Sequence, residues 1–282
     1  MTTFKMEHHM GKKLSQDQID QYRDKGYVSP VDAFTREQAT AYLAELETFE
    51  ASQGRQLTKG FNFKPHLLFP WVDSIARSPA VLDAVEDLLG PDILLFHLSV
   101  WPKNARDSAF INWHQDATYF GLAPSTQLTV WVALSDAPVE AGCMEVVPGS
   151  HKLGQLHHGQ NHTDNILLSK GQTVDVPFDK SHTEFMPVRA GQMSLHDTFL
   201  VHASGPNTTD HRRVGLGFSF IPASSRCVSK TRLTASLVRG KDYGNFDLET
   251  PPRVANGEAE RALHAEAVKR FRASNDEQAA AY

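Results

Sequence analysis

After Pro91 the hydrophobic period of the chain changes from 3.6 residues to 2, and no other feature restricts the fold as much. ILLFHLSVW (93–101), LTVWVAL (128–134), MEVV (144–147), TVDVPF (173–178), FMPV (185–188), MSLHD (193–197) and RVGLGFSFI (213–221) are short runs rich in β-branched, aromatic and other apolar residues, set among turn formers. Parallel winding needs a crossover helix between strands, and helical patterns are scarce here. The pattern therefore predicts an antiparallel sandwich or jelly roll.

Before Pro91 the chain reads as helical. Ser15 with Gln18, and Thr35 with Gln38, are capping-box pairs. Ala39, Tyr42, Leu43, Leu46 and Phe49 form the stripe of a core-packed helix. Ser78, Pro79, the apolar set Val81, Leu82, Val85, Leu88 and Leu89, and then Gly90 spell a third helix from cap to stop. Residues 52–70 are aromatic and basic without a period, and read as a loop placed to act as a lid. Ala259, Leu263, Ala267 and Phe271 recur every four residues and predict a C-terminal helix, with NDEQAAAY frayed beyond it. No internal repeat appears. The expectation is one domain over 1–282, mainly β with flanking α-helices: a helical part to about residue 91, a jelly-roll core over about 92–225 and a helical tail over about 255–275.

Composition removes whole classes of partner. With 40% apolar and 22% charged residues the chain is neither disordered nor fibrous. A net charge of −5 gives no global positive field, so no nucleic acid is expected. No apolar stretch approaches the roughly 18 residues of a membrane span. Cys143 and Cys227 cannot make a disulfide framework, and MTTFKMEHHMGKK lacks the apolar run of a signal peptide, so a reduced, cytoplasmic protein is expected. The unusual number is 14 histidines. Histidine is the commonest metal ligand and titrates near neutrality.

His114 and Asp116, in NWHQDATYF, are two residues apart in an extended segment, so both side chains turn to the same side. With one more imidazole they make the two-histidine, one-carboxylate facial triad of non-haem Fe(II) oxygenases, which leaves positions for cosubstrate and O2. His162 and Asp164 share the spacing but sit in a polar stretch that reads as a surface loop. His114 instead lies among Ile111, Trp113, Tyr119 and Phe120; the alternative for it is a packed core histidine.

Downstream, His196, His202 and His211 compete to be the third ligand. An anionic cosubstrate needs a fixed cation at its far carboxylate, and arginine supplies this bidentately. His202 precedes Arg213 by eleven residues, and a hairpin through GPNTTD brings both toward one cavity. His196 and Asp197 read as support or packing, His211 as a solvated turn residue. His157 and His158 read as solvent-facing, Lys103 as solvated with contact to the cosubstrate the alternative, and Cys143 as a buried small apolar site.

Residues 113–150, containing WHQDATYF, LTVWVALSDAPVEAG and CMEVVPGSH, and residues 190–213, AGQMSLHDTFLVHASGPNTTDHRR, resemble the phytanoyl-CoA dioxygenase family of Fe(II)/2-oxoglutarate oxygenases. The resemblance covers the central half of the chain. It implies a double-stranded β-helix, a cupin-like jelly roll with iron at its mouth. It matches His114, Asp116 and His202 to the iron ligands and Arg213 to the arginine that holds the 5-carboxylate of 2-oxoglutarate. Trp131 and Ser204 fall where such enzymes line the cosubstrate pocket, with plain core the alternative for Trp131. The cofactors implied are Fe(II), 2-oxoglutarate and O2, and the reaction is hydroxylation coupled to formation of succinate and carbon dioxide. Carrier-dependent halogenases resemble the chain in LLFPW and ATYFGL, but they need a small residue where Asp116 stands, so hydroxylation is expected.

Relatives of this kind act on acyl thioesters, amino acids, ectoine-like osmolytes and phosphonates. A small zwitterion, such as an amino- or trimethylammonio-alkylphosphonate, is expected here because no long apolar stretch suggests a fatty-acyl tunnel, and on two further grounds. Phe61, Phe63, Trp71, Tyr119 and Phe120 border the expected mouth and attract alkylammonium groups. Arg226, Lys230, Arg232 and Arg239 follow the last core strand, where a cation could meet the anion; a solvated basic loop is the alternative. An amino acid or a carrier-bound acyl group is the second expectation, with a carrier protein as partner only in that case. A non-catalytic cupin-like binding module is the third.

Overall fold

The computed structural model describes residues 11–57, 62–117, 120–160, 165–168, 171–175 and 178–279. The N-terminal helices α1 (Gln16–Lys25), α2 (Arg36–Gln53) and α4 (Pro79–Leu89) begin at Ser15, Thr35 and Ser78, and the first two carry both halves of the capping box. Each such cap is worth about 1 kcal/mol. A short helix, α3 (Pro70–Ala76), lies between α2 and α4, and the C-terminal helix α5 spans Glu258–Ala279.

The strands are β1 (Tyr27–Asp32), β2 (Ile93–Lys103), β3 (Ile111–His114), β4 (Leu122–Ala123), β5 (Leu128–Ala133), β6 (Met144–Val146), β7 (His158–Gln160) and β8 (Gln172–Val174). They continue as β9 (Glu184–Met186), β10 (Gln192–Asp197), β11 (His202–Ser204), β12 (Arg213–Pro222), β13 (Arg226–Cys227), β14 (Thr234–Arg239) and β15 (Asp247–Leu248). One sheet runs β1-β10-β5-β12-β2-β14-β15 and is antiparallel except at its last pair; a second runs β3-β11-β6-β9. Two such sheets face to face make the double-stranded β-helix expected.

The large sheet has two chemically different faces. Val130, Val132, Met193, Leu195, Val214, Leu216 and Phe218 turn outward into a core shared with Leu46, Val72, Ile75, Val81 and Val85 of the helices. Truncating such a residue, Phe218→Ala for instance, costs about 3–5 kcal/mol. The alternate residues Thr129, Trp131, Ser194, His196, Arg213, Gly215, Gly217 and Ser219 turn inward toward the second sheet. A Cβ at Gly215 would lie 1.9 Å from the Trp131 ring, and one at Gly217 2.8 Å from Trp101 Nε1, so both glycines make room for tryptophans crossing from neighbouring strands.

Several expectations change. The N-terminal part is not purely helical, because β1 inserts between α1 and α2 and pairs with β10. The large sheet continues past residue 225, since β14 pairs with β2. The stretch 52–70 is organised at its end: Lys64, His66, Leu67 and Leu68 are buried, and Lys64 and His66 both bind Glu249. Helix α5 runs on to residue 279, and its buried stripe is His264, Ala267, Val268, Phe271 and Ser274; Leu263 is exposed. Among the described residues no helix is long and apolar enough to cross a membrane.

Candidate metal centre and its two cavities

His114 ends β3 and His202 begins β11, and the two are direct partners in the antiparallel ladder. Their rings stand 4.1 Å apart. His114 Nδ1 lies 2.8 Å from the Asn112 carbonyl, and His202 Nδ1 lies 2.9 Å from that of Leu200. A carbonyl can only accept, so each ring donates from Nδ1 and turns Nε2 inward toward Asp116. Asp116 lies just beyond β3, its Oδ1 3.6 Å from His114 Nε2 and 3.8 Å from His202 Nε2. The other oxygen, Oδ2, accepts from Thr129 Oγ1 at 2.6 Å and lies 3.2 Å from His196 Nε2. Two imidazole lone pairs and one carboxylate oxygen thus fall within 4.8 Å of one another. Two nitrogens and one oxygen suit a divalent iron, and the donor set fits it.

The charge states agree with that use. Burial raises the Asp116 carboxyl, but the imidazoles of His114, His196 and His202 outweigh it and hold the group well below the usual carboxylate range. Burial, then the neighbouring His114, pushes His202 well below the ordinary histidine value, leaving the neutral form that ligates a metal. Behind them Gln115 is pinned on every side. Its amide nitrogen donates to the carbonyls of Gly154 and Phe199, its Oε1 accepts from Leu156 N, and its backbone N–H donates to His158 Nε2 at 3.0 Å. His158, read from the sequence as solvent-facing, is therefore buried and holds the turn between the two candidate ligands.

Two cavities meet at this centre and share Trp101, His114, Asp116 and Thr129. The smaller, about 60 Å³, leads past Trp131 and Ser204 to Arg213. Arg213 is 3% exposed, its guanidinium lies 5.1 Å over the Trp131 ring, and its Nε and Nη2 have no partner. A buried guanidinium with unused donors is a site for an anion. Burial pushes Arg213 down to about 10, so it stays charged at neutral pH. Beside it Lys103, read as solvated, is fully buried: its Nζ donates to Ser204 Oγ at 2.6 Å and to the carbonyls of Ser204 and Gly205. Burial, then the Arg213 charge, pulls this amine down to about 7. Arg212 points the other way and pairs with Glu50 at 2.6 Å.

The larger cavity, about 470 Å³, opens from the metal centre toward α5 and is lined by Phe63, His97, Ser99, Phe120, Ser219 and Phe271 among others, with Arg272 and Asp276 also on its wall. Of the aromatics expected at the mouth, Phe63 and Phe120 line it. Trp71 instead stacks on Tyr42 in the helical layer, and Phe61, Tyr119 and the His162–Asp164 pair lie outside the described residues. The basic segment does not serve it. Arg226 is exposed on β13, Lys230 is exposed, Arg232 pairs with Asp247, and Arg239 with Asp83 and Glu86. His97 and α5 were not singled out as site elements, and no local signal marks them, because only the closed fold brings them to the metal centre.

A jelly roll with this donor set at its mouth and an unpaired buried arginine one cavity away defines a class, the Fe(II)- and 2-oxoglutarate-dependent dioxygenases. Within it the chain belongs to the phytanoyl-CoA dioxygenase family, whose model matches residues 10–215. Fe(II), 2-oxoglutarate and O2 are its cofactors. The chain is 27% identical over 215 residues to a probable alpha-ketoglutarate-dependent hypophosphite dioxygenase of Stutzerimonas stutzeri, covering 70% of this chain and 75% of that one. It is 24% identical over 227 residues to the ectoine dioxygenase of Bordetella parapertussis, covering 72% and 74%. Among solved structures, the apo form of the non-heme monooxygenase ThoJ superimposes with a TM-score of 0.84 at 32% identity, over 94% of this chain and all of that one.

Proposed function

We propose that His114 and His202 through Nε2, and Asp116 through Oδ1, hold Fe(II), that Arg213 holds the far carboxylate of 2-oxoglutarate with Trp131 and Ser204 beside it, and that the enzyme hydroxylates an sp³ carbon of a small polar or zwitterionic metabolite. The observation that carries the hydroxylase reading is the Asp116 carboxylate, turned toward both imidazoles where a halogenase keeps a vacancy. Iron with 2-oxoglutarate and O2 supplies, when bound, an oxidant able to remove a hydrogen atom from an unactivated C–H bond. The chain supplies the rest. Thr129 and His196 engage Oδ2 and so turn Oδ1 to the metal. Trp101 and Trp131 keep the smaller cavity narrow, and the whole chain, 1–282, acts as one catalytic unit.

An amino- or trimethylammonio-alkylphosphonate is the first substrate to test. The rings of Phe63, Phe120 and Phe271 suit the alkyl part of such a ligand, Arg272 has no carboxylate partner among the described residues and can meet its anion, and one relative is named for a phosphorus substrate. The volume favours a second reading, hydroxylation of an amino acid or a carrier-bound acyl group, since about 470 Å³ lies within the range of roughly 300–1,000 Å³ that drug-sized ligands occupy. The test has two stages. Anaerobic Fe(II) protein should develop a weak visible charge-transfer band on adding 2-oxoglutarate. Aerobic turnover is then followed as succinate and a product one oxygen heavier, with quaternary-ammonium phosphonates, amino acids, ectoine-like osmolytes and acyl thioesters. Turnover confined to thioesters rejects the small-zwitterion reading, and no band with 2-oxoglutarate rejects the site assignment.

A further inference from the structure

Register places four polar side chains in one transverse row on the inner face of the large sheet: His97 on β2, Ser219 on β12, Thr129 on β5 and His196 on β10. The last two hold Asp116, so the row begins at the metal centre. Neighbouring strands are roughly 4.8 Å apart, which puts His97 roughly 10 Å from Thr129, inside the larger cavity. A β-bulge makes this possible. Leu95 pairs with Phe220 and His97 with Ser219, leaving Phe96 as an extra residue, so Phe96 and His97 both turn inward while Leu95 and Leu98 join the outer core.

His97 is 5% exposed, its Nε2 lies 2.9 Å from Ser99 Oγ, its Nδ1 has no partner, and its ring stacks on Phe271 of α5 at 4.2 Å. Burial, then the charge of Lys64, keeps the imidazole neutral. The inner wall of the cavity is therefore polar yet uncharged: an imidazole and the hydroxyls of Ser99 and Ser219. A charged substrate group buried there would have no counter-ion, which is costly, whereas an uncharged donor or acceptor would find partners.

We propose that His97, Ser99 and Ser219 form the specificity-determining strip of the substrate cavity, and that they read an uncharged hydrogen-bonding group of the substrate, a carbonyl, amide or hydroxyl, about two strand spacings from the reacting carbon. The substrate's anionic end then stays toward Arg272 of α5. This rests on the larger cavity being the substrate site, as proposed above, and it narrows the phosphonate candidates to those whose ionic ends lie away from the strip.

Three probes built on a five-carbon chain test it in the anaerobic protein loaded with Fe(II) and 2-oxoglutarate: pentanamide, pentanoate and pentyltrimethylammonium, with binding followed by calorimetry. Pentanamide is expected to bind about tenfold more tightly than either charged probe, one hydrogen bond's worth. Ser219→Ala and His97→Phe should each erase most of that preference, and His97→Gln should retain it. Equal or tighter binding of a charged probe overturns the proposal, as does failure of all three to bind or a preference that survives both substitutions. The charge-transfer band separates the two levels: if the band forms and the preference is absent, the strip fails while the metal and cosubstrate assignment stands.

Discussion

Replacing Arg213 by lysine keeps one positive charge and removes the planar fork. Arginine at this position is 3% exposed, is held flat against Trp131 and has two unpartnered nitrogens, so a carboxylate entering the small cavity meets donors already fixed in place. Lysine is a point charge on a flexible stem and keeps at most part of that contact. Losing one hydrogen bond to a charged group costs about 1.5–3 kcal/mol, or roughly 10- to 150-fold in affinity for 2-oxoglutarate. Titration of the charge-transfer band gives that affinity directly, and the Michaelis constant for the prime substrate should move far less. Arg212→Lys is the control. Its side chain lies on the opposite face, donating to both carboxylate oxygens of the buried Glu50 at 2.6 and 2.8 Å, so it should lower the melting temperature and leave cosubstrate affinity alone. Equal losses of 2-oxoglutarate affinity in the two variants would refute the reasoning.

Asp116→Ala should abolish hydroxylation and bound iron, measured by metal analysis, whereas Asp164→Ala should preserve both; the reverse result would move the centre to the other His-x-Asp. Thr129→Val leaves all three candidate ligands in place but removes the shorter of the two contacts on Oδ2 of Asp116, leaving His196, and should weaken iron binding by about 10- to 100-fold, read by competition with a chelator. Lys103 makes the fold pH-dependent. Its amine falls to about 7 from the ordinary 10.5, so across that window the unfolded chain binds more protons than the native one and stability rises with pH. Urea unfolding from neutral to alkaline pH should show that slope, and Lys103→Met should flatten it; identical slopes would count against a depressed lysine.

What the sequence makes legible is what depends on near neighbours. Ser15–Gln18 and Thr35–Gln38 cap their helices because both partners lie within one turn, and the period-2 runs became strands because alternation needs no distant partner. His114, Asp116, His202 and Arg213 come together as spacing and family resemblance imply, and the opposite directions of Arg212 and Arg213 follow from alternation alone. The misreadings all involve distant partners. Lys103 is buried by contacts to Ser204 and Gly205, about a hundred positions on, and His158 by Gln115, 43 positions back. Strand β1, YVSPVD, has a weak strand signature and exists because β10 offers it an edge. The stripe of α5 keeps Ala267 and Phe271 as expected but takes in His264, which donates to the Phe63 carbonyl 201 positions away, in place of Leu263. The basic segment after β12 looked like an anion site, yet Arg232 and Arg239 serve carboxylates that fold in from elsewhere.

Strand β12 carries one more consequence. Arg213, Gly215, Gly217 and Ser219 follow one another along its inner face, so a single rigid strand presents the proposed cosubstrate anchor at one end and part of the proposed substrate wall at the other. Six residues of strand measure roughly 20 Å, and the strand acts as a ruler against which both small molecules are laid. Neither seat can slide without the other, because the strand between them is zipped to β2 on one side and β5 on the other. A one-residue slip would exchange its polar inner row for Val214, Leu216 and Phe218, dismantling both proposed seats at once, so the hydrophobic core that fixes the register also sets the distance between Arg213 and Ser219.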